Sequence, residues 1–326
     1  MSDPFPRIIY MGTPGFAVRP LERLLESGCN VAGVVTAPDR RSGRGKKLHH
    51  SAVKDYLLKL DRPVALLQPE NLKEPSFLKE LSDLKPDLQV VVAFRMLPES
   101  VWSIPELGTF NLHASLLPQY RGAAPINHVI MNGESETGVT TFFIDEQIDT
   151  GRIILQEKTA IGADETAGEL HDRLMELGAG LVLETVERIA GGRLEALSQD
   201  QLTDTVTVLR KAPKIFKEDC RINWYLPGKV LYNMIRGLSP NPGAFTMLER
   251  EGREPLVCKI FKATFESLPH TLSPGTIYTD GKQSLKVAVH DGMLHIHTVQ
   301  QEGKRKMDIK DFLAGFSITN GATRFS

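Results

Sequence analysis

Arg7-Ile8-Ile9-Tyr10-Met11-Gly12-Thr13-Pro14-Gly15-Phe16 decides the fold of the N-terminal part of this chain. The apolar run that ends at Met11 is short enough for a strand and continuous enough to be buried on both faces. Gly12, Pro14 and Gly15 break it, and Leu21, Leu24 and Leu25 then recur at helical spacing. Strand, glycine turn and helix open a βαβ unit, and residues 30–36, Asn-Val-Ala-Gly-Val-Val-Thr, supply its second strand after Gly28. The glycines do not follow Gly-x-Gly-x-x-Gly, so a dinucleotide site, and with it a nicotinamide-dependent dehydrogenase, is poorly supported. A Rossmann-like frame carrying a different ligand is expected.

Outward from this unit the alternation continues. Residues 52–60 read as helix, 64–66 as strand and 75–84 as helix, and the nearly unbroken apolar run 88–93 reads as a central parallel strand. Phe94-Arg95-Met96-Leu97-Pro98 leaves that strand at its C-terminal end, where it either walls a ligand pocket or caps the core. Thr109-Phe110-Asn111-Leu112-His113 alternates as a strand and puts Asn111 and His113 on one face. Ser115, Pro118 and Gly122 then force a loop over the sheet edge, where open α/β sheets collect their binding residues. An amide N–H can hold the negative oxygen of a tetrahedral intermediate, and an imidazole beside it can donate to that oxygen or move a proton. The plain alternative is that both side chains only bond backbone at a strand end.

After the loop, residues 126–131 suit a helix, 137–144 a strand, 145–151 a turn-rich loop holding Asp149, and 152–159 a returning strand. A long amphipathic helix over 166–190 is capped by Asp164 or Thr166 and ended by Gly191-Gly192. Residues 191–208 read as a linker or crossover. A helix over 226–238 follows, broken by Ser239-Pro240-Asn241-Pro242-Gly243. Five short strands come next, over 244–248, 256–263, 275–278, 285–289 and 293–299, as in a small OB-fold-like β-barrel. The expected fold class is therefore α/β: a Rossmann-like domain with a mostly parallel sheet (1–190), a linker (191–208) and a smaller C-terminal barrel domain (209–326).

Composition is that of an ordinary globular chain, 41% hydrophobic and 24% charged over 326 residues, enough for two domains. No run approaches the ~20 apolar residues of a membrane span, and the first residues lack an apolar signal segment, so a cytoplasmic protein is expected. Cys29, Cys220 and Cys258 are scattered and expected to be reduced. His49-His50 falls in a loop, and His295-Ile296-His297 alternates on a strand with no carboxylate between the histidines, so solvated or packed histidines and no metal are expected. Formal charge is near zero overall but divides into about −8 up to Val208 and about +7 from Leu209 onward. A basic C-terminal half suggests a module for a polyanion. Residues 38–48 concentrate Arg40, Arg41, Arg44, Lys46 and Lys47 around two glycines and one acid. They read as a mobile basic loop, either solvated surface or a nucleic-acid contact.

The run Asn111-Leu112-His113-Ala114-Ser115-Leu116-Leu117-Pro118, followed by Tyr120-Arg121-Gly122-Ala123-Ala124-Pro125, resembles the signature of the folate-dependent formyltransferases. Within that group, Arg-Gly-Ala-Ala-Pro and Gly12-Thr13-Pro14 resemble the methionyl-tRNA formyltransferases. The resemblance extends through residues 145–151 and 214–224. It implies Asn111, His113 and Asp149 as a catalytic trio and Ser115, Leu116, Leu117 and Pro118 as the border of the folate. It further implies 10-formyltetrahydrofolate as co-substrate without a metal, and transfer of the formyl group to the amino group of methionine on initiator tRNA. Arg44 would be the main tRNA contact of the loop, with Arg40, Arg41, Lys46 and Lys47 beside it. No membrane or protein partner is evident. The rivals are a formyltransferase or formyl-folate hydrolase with another acceptor, and a non-catalytic RNA-binding protein. Retention of the full trio counts against the second.

Overall fold

The computed structural model describes residues 5–42, 47–61, 64–203, 208–318, 320 and 323–326. These form two compact units: Met1–Gly122 with Thr137–Thr159 and His171–Lys211, and Ala123–Glu136 with Ala160–Leu170 and Ala212–Ser326.

The first unit is built on β1 (Ile8–Gly12), β2 (Val31–Val35), a two-stranded hairpin of β3 (Arg40–Ser42) and β4 (Lys47–His49), β5 (Ala65–Leu67), β6 (Leu88–Val92), β7 (Thr109–His113), β8 (Glu136–Phe143) and β9 (Ile153–Ala160). The main sheet runs β5-β2-β1-β6-β7-β8-β9. From β5 to β7 all pairings are parallel, and β8 joins β7 antiparallel. β1 and β6 are buried at every residue, as their continuous apolar runs require of strands covered on both faces. Helices α1 (Val18–Glu26), α2 (Ala52–Leu57), α3 (Pro75–Asp83) and α4 (Glu99–Trp102) connect the parallel strands. Helix α1 tolerates Pro20 because the missing N–H falls in the first turn, where no intrahelical acceptor exists, and it buries Leu21 and Leu24. Helix α3 sinks Phe77 and Leu81 among Ile9, Met11, Val35 and Val91. The basic stretch 38–48, expected as a mobile loop, has paired ends: Arg40 faces His49, Arg41 Leu48 and Ser42 Lys47 across the hairpin.

The short helix α5 (Pro125–Met131) follows β7, and after β9 comes the 24-residue α6 (Ala167–Ala190). Of the two expected caps for α6, Thr166 takes the role. Its Oγ1 accepts from Glu169 N–H at 3.3 Å, while Glu169 Oε2 accepts from Thr166 N–H at 2.8 Å, a reciprocal capping box. Asp164 instead receives the Tyr232 hydroxyl.

Residues 191–208, expected as a linker, hold a turn of helix, α7 (Asp200–Thr203). The second unit adds α8 (Gly228–Gly237), β10 (Ala244–Arg250), β11 (Arg253–Ser267), β12 (Ile277–Thr279), β13 (Leu285–Val289), β14 (Gly292–Gln301), β15 (Met307–Asp308), α9 (Ile309–Gly315) and β16 (Thr323–Phe325). The strands run β12-β13-β14-β11-β10-β16, and an antiparallel bridge from Arg324 to Thr276 brings the last strand back to the start of the first, making a nearly closed barrel. Closure depends on Gly275, in the left-handed region at φ +85°, where a Cβ would stand 2.2 Å from Phe325 O. Trp224 stacks on Phe325 at 5.5 Å and donates its indole N–H to Thr246 Oγ1, so the polar edge of a buried ring is satisfied.

The β12–β13 turn carries a pH-sensitive group. Asp280 Oδ1 accepts from the N–H groups of Lys282, Gln283 and Ser284 at 2.8–3.0 Å, and these bonds, Ser284 first, bring its carboxyl down to about 2. A depressed folded-state value means the stabilisation is complete above the ordinary 3.8 and is lost as the pH falls through about 2. The difference in melting temperature between the wild type and Asp280→Ala is therefore expected to be constant above pH 5 and to shrink toward pH 2. A difference that stays unchanged to pH 2 would show that the turn does not depend on this carboxylate.

Candidate active site

β7 places Asn111 and His113 on one face at the C-terminal end of the parallel part of the sheet. Asn111 lies opposite Val91 on one side and Phe142 on the other, and His113 lies opposite Thr140. Asn111 is half-buried, and its Oδ1 is buried without a hydrogen-bond partner. Such an orphan acceptor costs about 1–3 kcal/mol. A donor arriving from outside the chain would recover that cost.

His113 is 6% exposed and meets Phe142 edge-on at 6.5 Å. Its Nε2 lies 2.9 Å from Tyr120 O. A carbonyl can only accept, so this contact fixes a proton on Nε2. Nδ1 is then the ring atom left for proton handling, and it faces Asp149 Oδ2 at 3.9 Å, beyond direct hydrogen bonding but within strong Coulombic reach. Two backbone kinks create this arrangement. Tyr120 and Asp149, neither a glycine, sit in the left-handed region at φ 60° and 58°. Tyr120 thereby presents its carbonyl to His113, and Asp149 turns its carboxylate to accept Gly122 N–H at 2.9 Å. Conformations of this kind cost roughly 1–3 kcal/mol each and collect where function requires them.

The loop at 115–118 turns inward. Ser115 Oγ donates to Gln119 O at 2.6 Å, and Ser115 O accepts from Thr140 Oγ1 at 2.6 Å. Thr140 Oγ1 also receives Leu117 N–H, and Gln156 Nε2 donates to Leu117 O and to Thr140 Oγ1. Ser115, Leu117 and Pro118 are buried and Leu116 is half-buried, so the loop is fastened from below.

Of the five expected loop cations, Arg40 and Arg41 stand exposed on β3, Lys47 lies on β4, and Arg44 and Lys46 fall outside the described residues. The hairpin's root is pinned by Asp39, which receives Lys54 Nζ at 2.6 Å and Gln68 Nε2 at 2.9 Å. Those bonds, Gln68 first, lower the Asp39 carboxyl and keep it charged. On the β6 exit, Arg95 donates to the carbonyls of Glu70 and Pro69. Desolvation, then the nearby Arg40 charge, lowers its guanidinium.

Sequence reasoning missed one buried group. Gln199, 2% exposed, donates from Nε2 to Asp149 O at 3.0 Å and to Gly151 O at 2.8 Å. Its Oε1 accepts from Arg121 Nε at 3.1 Å and Nη2 at 2.6 Å. Nothing in the spacing of Gln199 foretold this, because its partners are distant in the chain.

Among the described residues, no three His, Cys, Asp or Glu side chains gather as metal ligands, and no helix is long and apolar enough to cross a membrane. Cys29, Cys220 and Cys258 are buried, and none is in a disulfide.

Known proteins place this geometry in context. Residues 6–186 match the formyl transferase family model, and residues 214–317 match the model of the formyl transferase C-terminal domain. Methionyl-tRNA formyltransferase of Bacteroides fragilis is 52% identical over 315 residues, covering 96% of each chain. That of Parabacteroides distasonis is 52% identical over 311 residues, covering 95% of each. Among solved structures, the sugar 3N-formyl transferase WlaRD, determined in the presence of dTDP and 5-N-formyl-THF, superposes with a TM-score of 0.62 at 20% identity, covering 92% of this chain and 99% of its own. HypX from Aquifex aeolicus in complex with tetrahydrofolic acid gives 0.62 at 18% identity over 95% of this chain, which spans about half (47%) of that one. At such identities the two structures speak for the fold alone. The two domain matches and the full-length relatives make this chain a member of the formyl transferase family.

Proposed function

We propose that the protein transfers the formyl group of 10-formyltetrahydrofolate to the α-amino group of methionine esterified to initiator tRNA, yielding formylmethionyl-tRNA for translation initiation in the cytoplasm. One observation carries the reading. In a chain 52% identical to methionyl-tRNA formyltransferase over 96% of its length, an unpartnered Asn111 amide oxygen, a tautomer-fixed His113 and the carboxylate of Asp149 sit together at the exit of β7.

In this reaction the amine nitrogen bonds to the formyl carbon, the bond from that carbon to the folate nitrogen breaks, and one amine proton ends on the leaving nitrogen. Asn111 donates from its amide N–H to the oxyanion that forms as the carbonyl rehybridises, and its orphan Oδ1 accepts an N–H of the attacking amine. His113 Nδ1 takes or gives the proton. Asp149 Oδ2, 3.9 Å away, balances the charge on the ring. The loop Ser115, Leu116, Leu117 and Pro118 borders the folate. Its buried bonds hold the wall in shape. Residues 1–190 carry the chemistry, 191–208 connect, and 209–326 supply a basic surface for tRNA.

The test is to incubate the purified protein with 10-formyltetrahydrofolate and Met-charged initiator or elongator tRNA. Formylmethionine on the initiator tRNA is expected, and its absence overturns the reading. Contact with tRNA by the basic hairpin makes a separate expectation. Replacing Arg40 and Arg41 together by alanine should reduce the slope of log K for charged tRNA against log salt by roughly 0.7–0.9 per lost phosphate contact, with folate binding unchanged. Arg44→Ala should behave likewise. An unchanged slope, or equal damage to folate binding, counts against docking by the hairpin.

A further inference from the structure

Residues 197–203 and 208–211 lie as a strap over the loops of the first unit. Leu197 and Ile153 exchange both backbone hydrogen bonds at 2.8 Å, which covers part of the edge of β9. Gln199 then reaches Asp149 O and Gly151 O. Further along, Gln119 Nε2 donates to Val208 O, Arg210 N–H donates to Gln119 Oε1, and Tyr120 N–H donates to Arg210 O at 2.7 Å. The strap therefore grips the Asp149 turn and the residue whose carbonyl fixes the His113 tautomer.

Within it, Gln199 closes a ring. Its Nε2 holds the Asp149 carbonyl, the Asp149 carboxylate holds Gly122 N–H, Gly122 follows Arg121 in the chain, and the Arg121 guanidinium returns to Gln199 Oε1. The ring needs one side chain that donates two N–H groups to carbonyls and accepts from a guanidinium at once. Among side chains of this length, only an amide does both. A carboxylate of the same size keeps the Arg121 contact but turns a negative oxygen toward two carbonyls and pulls the turn away from His113.

We infer that Gln199 is a positioning residue for formyl transfer: its amide, anchored by Arg121, sets the left-handed Asp149 turn and so the distance from the Asp149 carboxylate to His113 Nδ1. The inference rests on the proposed activity. Displacing a reacting or charge-balancing group by ~1 Å costs about 10² in rate. Gln199→Glu is therefore expected to lower kcat about 100-fold, with KM for charged tRNA and for 10-formyltetrahydrofolate changed less than about threefold.

A merely structural role would weaken both Michaelis constants or add independently to other lesions. The deciding measurement is thus the double variant. If Gln199 acts through Asp149, Gln199→Glu costs no further kcat in an Asp149→Asn background, whereas losses that multiply overturn the inference. Thermal unfolding is recorded for each protein. If Gln199→Glu melts below the assay temperature, Gln199→Ala is put through the same cycle and judged by the same criterion. Wild type is assayed first on initiator Met-tRNA. No product there overturns the functional reading, while an active wild type whose Gln199 variants keep kcat within twofold overturns this inference alone.

Discussion

Asn111→Ala is expected to lower kcat for formyl transfer by about 10²–10³, the usual consequence of losing one oxyanion donor. The loss should appear at saturating concentrations of both substrates, because the interaction strengthens only as charge builds on the formyl oxygen. Folding should tolerate the change, since Oδ1 is an unpaired buried acceptor whose removal relieves a cost. His113→Ala should show a comparable drop in kcat together with a loss of stability of about 1–3 kcal/mol, because Tyr120 O loses the donor at 2.9 Å and the face toward Phe142 is emptied. The pair is thus distinguishable: both slow, and only the histidine variant melts early. Either variant retaining near-wild-type turnover under saturating substrates would remove its residue from the reaction.

Gly151→Ala is expected to be the most damaging single methyl group that can be added near the site. A Cβ there would stand 1.7 Å from Phe143 O and 2.8 Å from its carbonyl carbon, both main-chain atoms of β8, where Phe143 N–H is bonded to Arg152 O at 2.9 Å. Neither neighbour can rotate away, so the turn must open. Overpacking of this severity costs about 3 kcal/mol or more, and a chain of this size loses roughly 2–4 °C per kcal/mol. Activity should fall further than stability does, since Asp149 lies two residues upstream and Gly151 O is one of the two carbonyls held by Gln199. Gly180→Ala is the control. Nothing lies within 4 Å of its added methyl, it sits on the exposed face of α6, and it is expected to stabilise by about 0.5–1 kcal/mol. Calorimetry of the two variants beside kcat measurements checks both, and a Gly151→Ala protein that melts like wild type would contradict the geometry.

Much of this molecule could be read from periodicity. Thr109–His113 and Leu285–Val289 form strands with the expected ends, because alternation or an unbroken apolar run bounded by turn residues leaves few choices. The central strand 88–93 was legible from its continuous valines, which only a parallel strand covered on both faces can bury, and it lies as β6 between β1 and β7. The pairing of the basic stretch was not legible. Arg40 to Ser42 and Lys47 to His49 hold a single apolar side chain, Leu48, so no apolar face announced the hairpin, whose root is held by Asp39, Lys54 and Gln68 from three separate segments. Helix α9 and strand β16 were also missed. The first is one buried stripe of Ile309, Phe312 and Leu313, and the second is three residues long, defined by the neighbours it pairs with. At the site, Asn111 and His113 were set side by side by strand alternation alone. The left-handed backbone at Tyr120 and Asp149 and the reach of Gln199 are tertiary facts, and no local pattern encodes them.

The strap also orders events in time. Gln199 bonds a residue 50 positions earlier and another 78 positions earlier, so the ring cannot close until well after the strands beneath it exist. At a synthesis rate of ~5–20 residues per second, the interval between emergence of β9 and emergence of Arg210 is roughly 3–10 s. During that interval a nascent chain already carries its asparagine, histidine and aspartate on a sheet able to collapse, while the turn bearing the carboxylate still lacks its clamp. Enzymatic competence is then a late maturation event, separable from collapse of the sheet. Pulse-labelled amides at Tyr120 and Ile153, which donate to Arg210 O and Leu197 O, should gain protection from exchange only after those of Val90 and Val91.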